Sequence, residues 1–180
     1  RNSQNQEVYQ YTGFAYINQI VIGMSMNKYL IIGKSGFIGS WLSKMLSELP
    51  DTECFSVSSE DFDLLSPLQT NDVLTPLSKN AIVVYSAGIT SSRSDSGWAL
   101  TDNLTMLYNL IETLKKARPC KLIFLSSVEI YGIPEKLPIS EDTLFTPMTL
   151  YGVGKITAEL MLQRWHRQDE IPVAALRLPG

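Results

Sequence analysis

Residues 29–39 read Tyr29-Leu-Ile-Ile-Gly33-Lys-Ser-Gly36-Phe-Ile-Gly39, an apolar run that leads into closely spaced glycines. The run from Tyr29 to Ile32 is typical of a buried strand. Apolar residues then recur at the spacing of one helix face, at positions 38, 41, 42, 45, 46 and 49. Glycines on a strand-to-helix turn let the backbone approach a pyrophosphate, which sits at the positive helix N-terminus. The stretch therefore indicates a phosphate-binding turn or, more simply, a tight turn that requires glycine.

The rest of the chain alternates between strand and helix patterns. This alternation predicts an α/β fold with a parallel, doubly wound sheet and right-handed crossovers. We predict strands at 28–33, 54–58, 81–86, 121–126 and 172–177, and helices at 37–49, 67–77, 98–117 and 151–167. The segment 133–150 contains several prolines and predicts an irregular loop over the site.

A second pattern lies late in the chain, where Ser127 ends an apolar run and Tyr151 precedes Lys155 by four residues. Residues four apart lie on one face of a helix. A lysine ammonium favours the phenolate, so we expect Lys155 to lower the pKa of Tyr151 towards working pH. Taken alone the pair is equally compatible with a solvated helix face.

These patterns together resemble the extended short-chain dehydrogenase/reductase family, specifically its nucleotide-sugar epimerases and dehydratases. The glycine spacing GxxGxxG from Gly33 to Gly39 matches that group. Further matches follow in the family's order along the chain: Asp63-Leu64, Ala87-Gly88, Asn103, Ser126-Ser127 and Tyr151 to Lys155. The resemblance covers residues 27–180 and implies a Rossmann fold. It also implies an N-terminal fragment, because the family's sugar-binding part comes mostly after this point.

The resemblance assigns roles to individual residues. It implies that Tyr151 exchanges a proton with a sugar hydroxyl, that Lys155 supports it and contacts the cofactor ribose, and that Ser127 orients the reacting oxygen. The implied cofactor contacts are Gly33, Ser35, Gly36, Phe37, Ile38, Gly39, Asp63, Leu64, Ala87, Gly88, Asn103, Tyr151 and Lys155.

The chain departs from the family where the second strand ends. NAD users carry an acidic residue there, whereas we expect Ser58 or Ser59, followed by Glu60, at this position. A serine does not repel a 2′-phosphate, and Lys34 in the glycine turn could meet one. We therefore prefer NADP to NAD, with a solvated Lys34 and an acidic role for Glu60 as the alternative. The interval from Val57 to Asp63 is also short, so the family's next strand is expected to be very short or absent.

Glu129 bears on the reaction class. In the family's 4,6-dehydratases a glutamate at this position is the base, but Val128 replaces the polar residue that precedes it there. We therefore predict an epimerase or reductase that acts on a nucleotide-activated sugar. A 4,6-dehydratase or decarboxylase is the alternative, and a cofactor-binding module or an inactive fragment is another.

The composition is that of one globular domain. The chain has 180 residues, of which 44% are hydrophobic, and a net charge of −3. This balance gives no electrostatic footprint for nucleic acid. Cys54 and Cys120 lack metal-binding spacing and predict reduced, buried thiols, which points to the cytoplasm. His166 is the only histidine and is expected at the surface or a helix end, so no metal site is expected.

The two ends of the sequence are unusual. The chain begins with Arg1, and residues 1–12 carry no periodic pattern. The moderately apolar stretch 13–23 is too short for a membrane span and lacks the basic region and cleavage site typical of a signal peptide. We expect residues 1–23 to be a loosely packed extension, with the cofactor domain at 24–180. We also expect little sugar turnover by these 180 residues alone, and a homodimer for the longer parent protein, as the resemblance implies.

Overall fold

The computed structural model describes residues 27–134 and 136–179. The expected extension 1–23, together with Met24 and Gly180, lies outside the described residues. The strands are β1 (Asn27–Ile32), β2 (Thr52–Val57), β3 (Ile82–Tyr85), β4 (Lys121–Ser127) and β5 (Val173–Leu178). The helices are α1 (Phe37–Ser47), α2 (Pro67–Ser78), α3 (Gly97–Ala117) and α4 (Leu150–Asp169), and one 3-10 turn spans Val128–Tyr131.

The five strands form one parallel sheet in the order β2-β1-β3-β4-β5. Ile32 of β1 pairs with Val57 of β2 on one side and with Tyr85 of β3 on the other. The chain runs from β1 to one edge of the sheet and from β3 towards the other edge, so the two connections diverge between β1 and β3. This is a topological switch point, where open α/β sheets bind ligands beyond the carboxyl ends of the strands. The predicted doubly wound sheet is therefore confirmed.

Helix placement follows from the right-handed crossover rule. The β1-α1-β2 connection runs in one direction across the sheet, and the three later connections run in the other. Consequently α1 covers one face, while α2, α3 and α4 cover the opposite face. The main core lies under these three helices, where Leu30, Val83 and Leu122 of the sheet meet Leu110 and Leu114 of α3.

Most predicted elements lie within two residues of the observed ones. In the described chain, residues 58–66 after β2 contain no strand, as the short interval to Asp63 predicted. The prediction of two buried thiols was wrong, because Cys120 is exposed and Cys54 is only partly buried. His166 lies in the last turn of α4, as expected, and its Nδ1 is 2.8 Å from the Ile171 carbonyl oxygen.

Candidate cofactor and catalytic site

The glycine turn after β1 is built by close backbone approach. Gly33 adopts a φ of +108°, and a Cβ there would lie 2.7 Å from the Ala87 nitrogen. A Cβ at Gly39 would lie 2.1 Å from the Gly33 carbonyl oxygen. Both positions therefore require glycine for the fold itself. Gly36 is different, since its Cβ would meet nothing closer than that oxygen at 3.4 Å.

The N-terminus of α1 is prepared for an anion. Gly36 is the N-cap residue, and no side chain caps the helix or places an acidic group in its first turn. The first backbone N–H groups of the helix are thus available, and the helix dipole favours negative charge at this point. A pyrophosphate fits this arrangement, with the exposed Gly36 leaving room where a side chain would intrude.

A carboxylate lies where β2 ends, but it belongs to Asp61 and not to Glu60. Asp61 accepts hydrogen bonds from the Ser58 backbone N–H (2.7 Å) and the Ser58 hydroxyl (3.2 Å). Lys34 forms an ion pair with it at 2.9 Å. The bond from Lys34 is the main cause that lowers the pKa of Asp61, with the Ser58 backbone bond second. The alternative interpretation of the sequence assumed a solvated Lys34, whereas its ammonium is paired with Asp61.

The predicted adenine contacts Asp63 and Leu64 lie in the next turn. Asp63 accepts a hydrogen bond from the Leu65 backbone N–H at 2.9 Å, so its carboxylate closes the turn. Leu64 is buried, and Asn109 of α3 donates to its carbonyl oxygen at 2.8 Å. This segment is consequently held against α3 by a buried hydrogen bond.

The chain after β3 crosses the switch point beside the glycine turn. The Ser86 hydroxyl donates to the Ile32 carbonyl oxygen at 2.9 Å, which joins the two strand ends. Asn103 of α3 holds Ile89 from both sides, because its Oδ1 accepts from the Ile89 N–H (2.8 Å) and its Nδ2 donates to the Ile89 carbonyl (2.9 Å). Asn103 thus fixes the loop that carries Ala87 and Gly88.

One pocket brings several predicted residues together. Its lining includes Ala87 and Gly88 after β3, Asn103 of α3, and Tyr151 and Lys155 of α4. Neither the glycine turn nor Ser127 contributes to its lining. Ser127 is buried at the end of β4, and its hydroxyl oxygen accepts a hydrogen bond from the Glu129 N–H at 3.1 Å.

Lys155 points inward from α4. Its ammonium donates to the Leu125 carbonyl oxygen at 2.7 Å and lies 4.6 Å from the centroid of the Phe124 ring. Burial of this charge lowers the pKa of Lys155 to about 8, against the effect of nearby Glu159 and Glu129. The residue is thus a cation in a site that partly resists its charge.

The expected lowering of the Tyr151 pKa is not what this geometry gives. Burial raises the pKa of Tyr151, and the charge of Glu129 raises it further. The Lys155 ammonium lies 5.3 Å from the centroid of the Tyr151 ring. The prediction failed because it considered only the lysine of the pair, whereas burial and a carboxylate 22 residues away in sequence act in the opposite direction.

Three polar residues of the site were missed as contacts. Ser91 and Thr149 donate to the carboxylate of Glu129, and Asp95 accepts from the Tyr151 N–H at 3.0 Å. Thr149 is the N-cap residue of α4, and a threonine directly before a helical pattern is a recognisable signal. Ser91 and Asp95 carry no comparable signal, because their partners are 38 and 56 residues away.

Behind the site, Arg177 of β5 joins α4 to the loop that follows β4. It forms an ion pair with Glu159 at 2.8 Å and donates to the Tyr131 hydroxyl at 2.6 Å. The Ser126 hydroxyl also donates to Glu159. We call Ser126, Glu159, Arg177 and Tyr131 the arginine network.

The described residues hold no group of three or more His, Cys, Asp or Glu side chains that could bind a metal ion. Within the same residues, no helix is long and apolar enough to cross a membrane.

The parallel sheet, the glycine turn at its switch point and the tyrosine–lysine helix define a nucleotide-binding protein of the Rossmann class. The model of the NAD dependent epimerase/dehydratase family matches residues 29–179, so the chain belongs to that family.

Individual relatives agree with this assignment. A UDP-glucose 4-epimerase of Mycoplasma pneumoniae is 27% identical over 84% of this chain and 52% of its own length. The structure of UDP-glucose 4-epimerase from Brucella ovis in complex with NAD has a TM-score of 0.75 and 26% identity, covering 84% of this chain and 51% of that one. The structure of RMD from Pseudomonas aeruginosa complexed with NADPH has a TM-score of 0.73 and 28% identity, covering 85% of this chain and 55% of that one. This chain thus spans about half the length of these proteins.

Proposed function

We propose that this chain carries the cofactor-binding half and the catalytic residues of an epimerase or reductase that acts on a nucleotide-activated sugar. The observation that carries the proposal is the pocket that Tyr151 and Lys155 line together with Ala87, Gly88 and Asn103. The names of the relatives support the sugar substrate, since UDP-glucose 4-epimerases recur among them.

In this mechanism Tyr151 takes a proton from a sugar hydroxyl, and Ser127 orients the reacting oxygen. Gly33, Gly36 and the N-terminus of α1 would hold the cofactor pyrophosphate. The oxidised nicotinamide supplies the hydride acceptor and a positive charge. Burial and the charge of Glu129 raise the pKa of Tyr151 in the cofactor-free chain, and the positive charge of the nicotinamide would oppose both effects.

Lys155 has two roles in the proposal. Its ammonium would contact the cofactor ribose, and its charge, 5.3 Å from the centroid of the Tyr151 ring, would oppose the effect of Glu129 on Tyr151. An ammonium has three donors, so Lys155 would keep donors for a ribose hydroxyl beside its bond to the Leu125 carbonyl. Its pKa of about 8 leaves it mostly protonated at neutral pH.

We further propose NAD as the preferred cofactor, although the sequence favoured NADP. The preference for NADP depended on a Lys34 ammonium that is available to a 2′-phosphate. In the structure this ammonium is paired with the Asp61 carboxylate. A carboxylate accepts bonds from ribose hydroxyls and repels a 2′-phosphate. We expect Asp61→Asn to raise NADPH affinity relative to NADH affinity in a fluorescence titration, while Glu60→Gln leaves the ratio unchanged. An unchanged ratio in Asp61→Asn would contradict a role of Asp61 in the choice of cofactor.

A 4,6-dehydratase or decarboxylase remains the second candidate, because Glu129 lies beside Thr149 at the start of the tyrosine helix. Glu129→Gln in the complete protein separates the classes. An epimerase or reductase should still form its product, at a changed rate, whereas a dehydratase should stop after the first oxidation. A cofactor-binding module or an inactive fragment should bind cofactor without turnover, both as wild type and as Glu129→Gln.

The central experiment is Tyr151→Phe in the complete protein. Removing the ionisable oxygen should lower turnover about 10²-fold or more, the usual effect of losing a general base. Cofactor affinity should stay near wild type, whereas Lys155→Met should damage both. Full turnover in Tyr151→Phe would contradict the proposal.

The expected homodimer and cytoplasmic location also remain predictions. Sedimentation would measure the oligomeric state, and cell fractionation would measure the location.

A further inference from the structure

A carboxylate joins three separate segments at the catalytic edge of the sheet. The Ser91 hydroxyl, in the loop after β3, donates to Glu129 Oε1 at 2.8 Å. The Thr149 hydroxyl, at the start of α4, donates to Glu129 Oε2 at 2.8 Å. Glu129 itself lies in the 3-10 turn after β4. We call Ser91, Glu129 and Thr149 the carboxylate clamp.

The clamp fixes the direction of the hydrogen bond that caps α4. Thr149 Oγ1 accepts a hydrogen bond from the Gly152 N–H at 2.9 Å. A hydroxyl has one proton, and an ionised carboxylate can only accept. Glu129 therefore directs the Thr149 proton towards itself and leaves the oxygen lone pairs to the helix N–H groups. The cap of the helix that carries Tyr151 depends on this arrangement.

The first turn of α4 also rests directly on the Glu129 backbone. A Cβ at Gly152 would lie 2.8 Å from the Glu129 carbonyl oxygen and 3.0 Å from the Pro147 Cβ. Gly152 follows Tyr151 directly and is buried. A displacement of Glu129 would thus move the turn that holds the tyrosine.

We propose that Glu129 is a positioning residue, whose carboxylate, held by Ser91 and Thr149, fixes the first turn of α4 and the charge around the Tyr151 hydroxyl. Its part in the reaction is to orient the tyrosine. The inference rests on the proposed function only for the acid–base role of Tyr151.

The charges around Tyr151 come from three directions. Lys155 lies on the same helix, Glu129 on the turn after β4, and Asp95, which accepts the Tyr151 N–H, on the loop before α3. Burial is the main cause that raises the pKa of Tyr151, and the charge of Glu129 adds to it. For Lys155, whose pKa burial lowers, the charge of Glu129 acts in the opposite direction to burial. The clamp thus favours the protonated form of both residues until a ligand adds positive charge.

The first test titrates Tyr151 in the 180-residue chain without sugar or cofactor. Tyrosine rings carry a 13C label, and Tyr151→Phe identifies the signal. Glu129→Gln keeps the side-chain shape and removes the charge, so the Tyr151 midpoint should shift to lower pH. Asp142→Asn, which removes an exposed carboxylate outside the clamp, should leave it unchanged. A purely structural role of Glu129 would not move this titration, and an unmoved midpoint overturns the proposal.

The second test measures hydrogen exchange of the Gly152 amide. Thr149→Ala and Glu129→Ala should speed this exchange about fivefold, the effect of a lost helix cap. Thr149→Ser keeps the hydroxyl and should restore the wild-type rate. If Glu129→Ala does not fold, the two Thr149 variants and Ser91→Ala test the clamp instead. Ser91→Ala removes a hydrogen bond to Glu129 and should also speed the exchange of the Gly152 amide. Wild-type exchange in Ser91→Ala and Thr149→Ala contradicts the clamp, and neither test depends on sugar turnover.

Discussion

Gly36 and Gly39 lie one helical turn apart and have opposite surroundings. Gly39 is buried against the Gly33 carbonyl, whereas Gly36 is exposed and has an ordinary φ of −78°. We expect Gly36→Asp to fold with a melting temperature near wild type and to lose binding of reduced nicotinamide cofactor, because a side chain and a negative charge enter the phosphate position. Gly39→Ala should fail to fold. The measurements are thermal unfolding and cofactor fluorescence, and cofactor binding by Gly36→Asp would refute the phosphate role.

Lys155 gives a second prediction at the residue scale. Its pKa falls from 10.5 to about 8 on folding, so between these values the unfolded state binds more protons. The charge-burial cost is therefore present below pH 8 and is relieved as the pH rises through this window. The free energy of unfolding of wild type should rise, relative to Lys155→Met, between pH 8 and pH 10.

Urea unfolding at several pH values within that window provides the measurement. Exposed Lys44 serves as the control, since Lys44→Met should follow the wild-type pH dependence. Curves for Lys155→Met that stay parallel to wild type would mean that the ammonium keeps its ordinary pKa in the folded chain.

At the scale of elements, Asn103 links α3 to the loop after β3 through two hydrogen bonds to Ile89. Asn103→Ala removes both, which should cost about 1–3 kcal/mol of the free energy of unfolding. Cofactor affinity should fall as well, because Ala87 and Gly88 lose their support. Asn103→Asp keeps the acceptor for the Ile89 N–H and should show a smaller loss of stability. Wild-type affinity in Asn103→Ala would show that the loop holds its position without α3.

The elements themselves could be predicted from local patterns. The apolar run before Gly33, the Ser66-Pro67 start of α2 and the helical spacing in 98–117 each depend on neighbouring residues. The polar contacts of the site could not be predicted in this way. Lys34 meets Asp61 across 27 residues, and Ser91 meets Glu129 across 38. Such pairs depend on which strands become neighbours, and the sequence pattern predicts strands without their side-chain contacts.

At the scale of the molecule, the two faces of the sheet are covered unequally. Among the described residues, α1 alone covers one face, and its surface exposes 89% of Phe37, 60% of Trp41 and 45% of Met45. We expect the folded chain to bind the dye anilinonaphthalene sulfonate, because a contiguous exposed apolar surface attracts it. Trp41→Glu with Met45→Glu should at least halve the fluorescence. Trp98→Glu, an equally exposed tryptophan on α3, should have a smaller effect, and equal effects would contradict a patch on α1.

The arginine network has a consequence for the order in which the protein is made. Glu159 leaves the ribosome before Arg177, so its carboxylate begins without the cation that later pairs with it. An unpaired carboxylate resists burial, and α4 therefore cannot settle fully against β4 until β5 has been synthesised. Tyr151 and Lys155 lie on that helix. During translation the proposed catalytic pair is thus expected to reach its final position after the glycine turn. In a nascent chain that ends before Arg177, the helix that carries Tyr151 would lack the ion pair that joins it to β5.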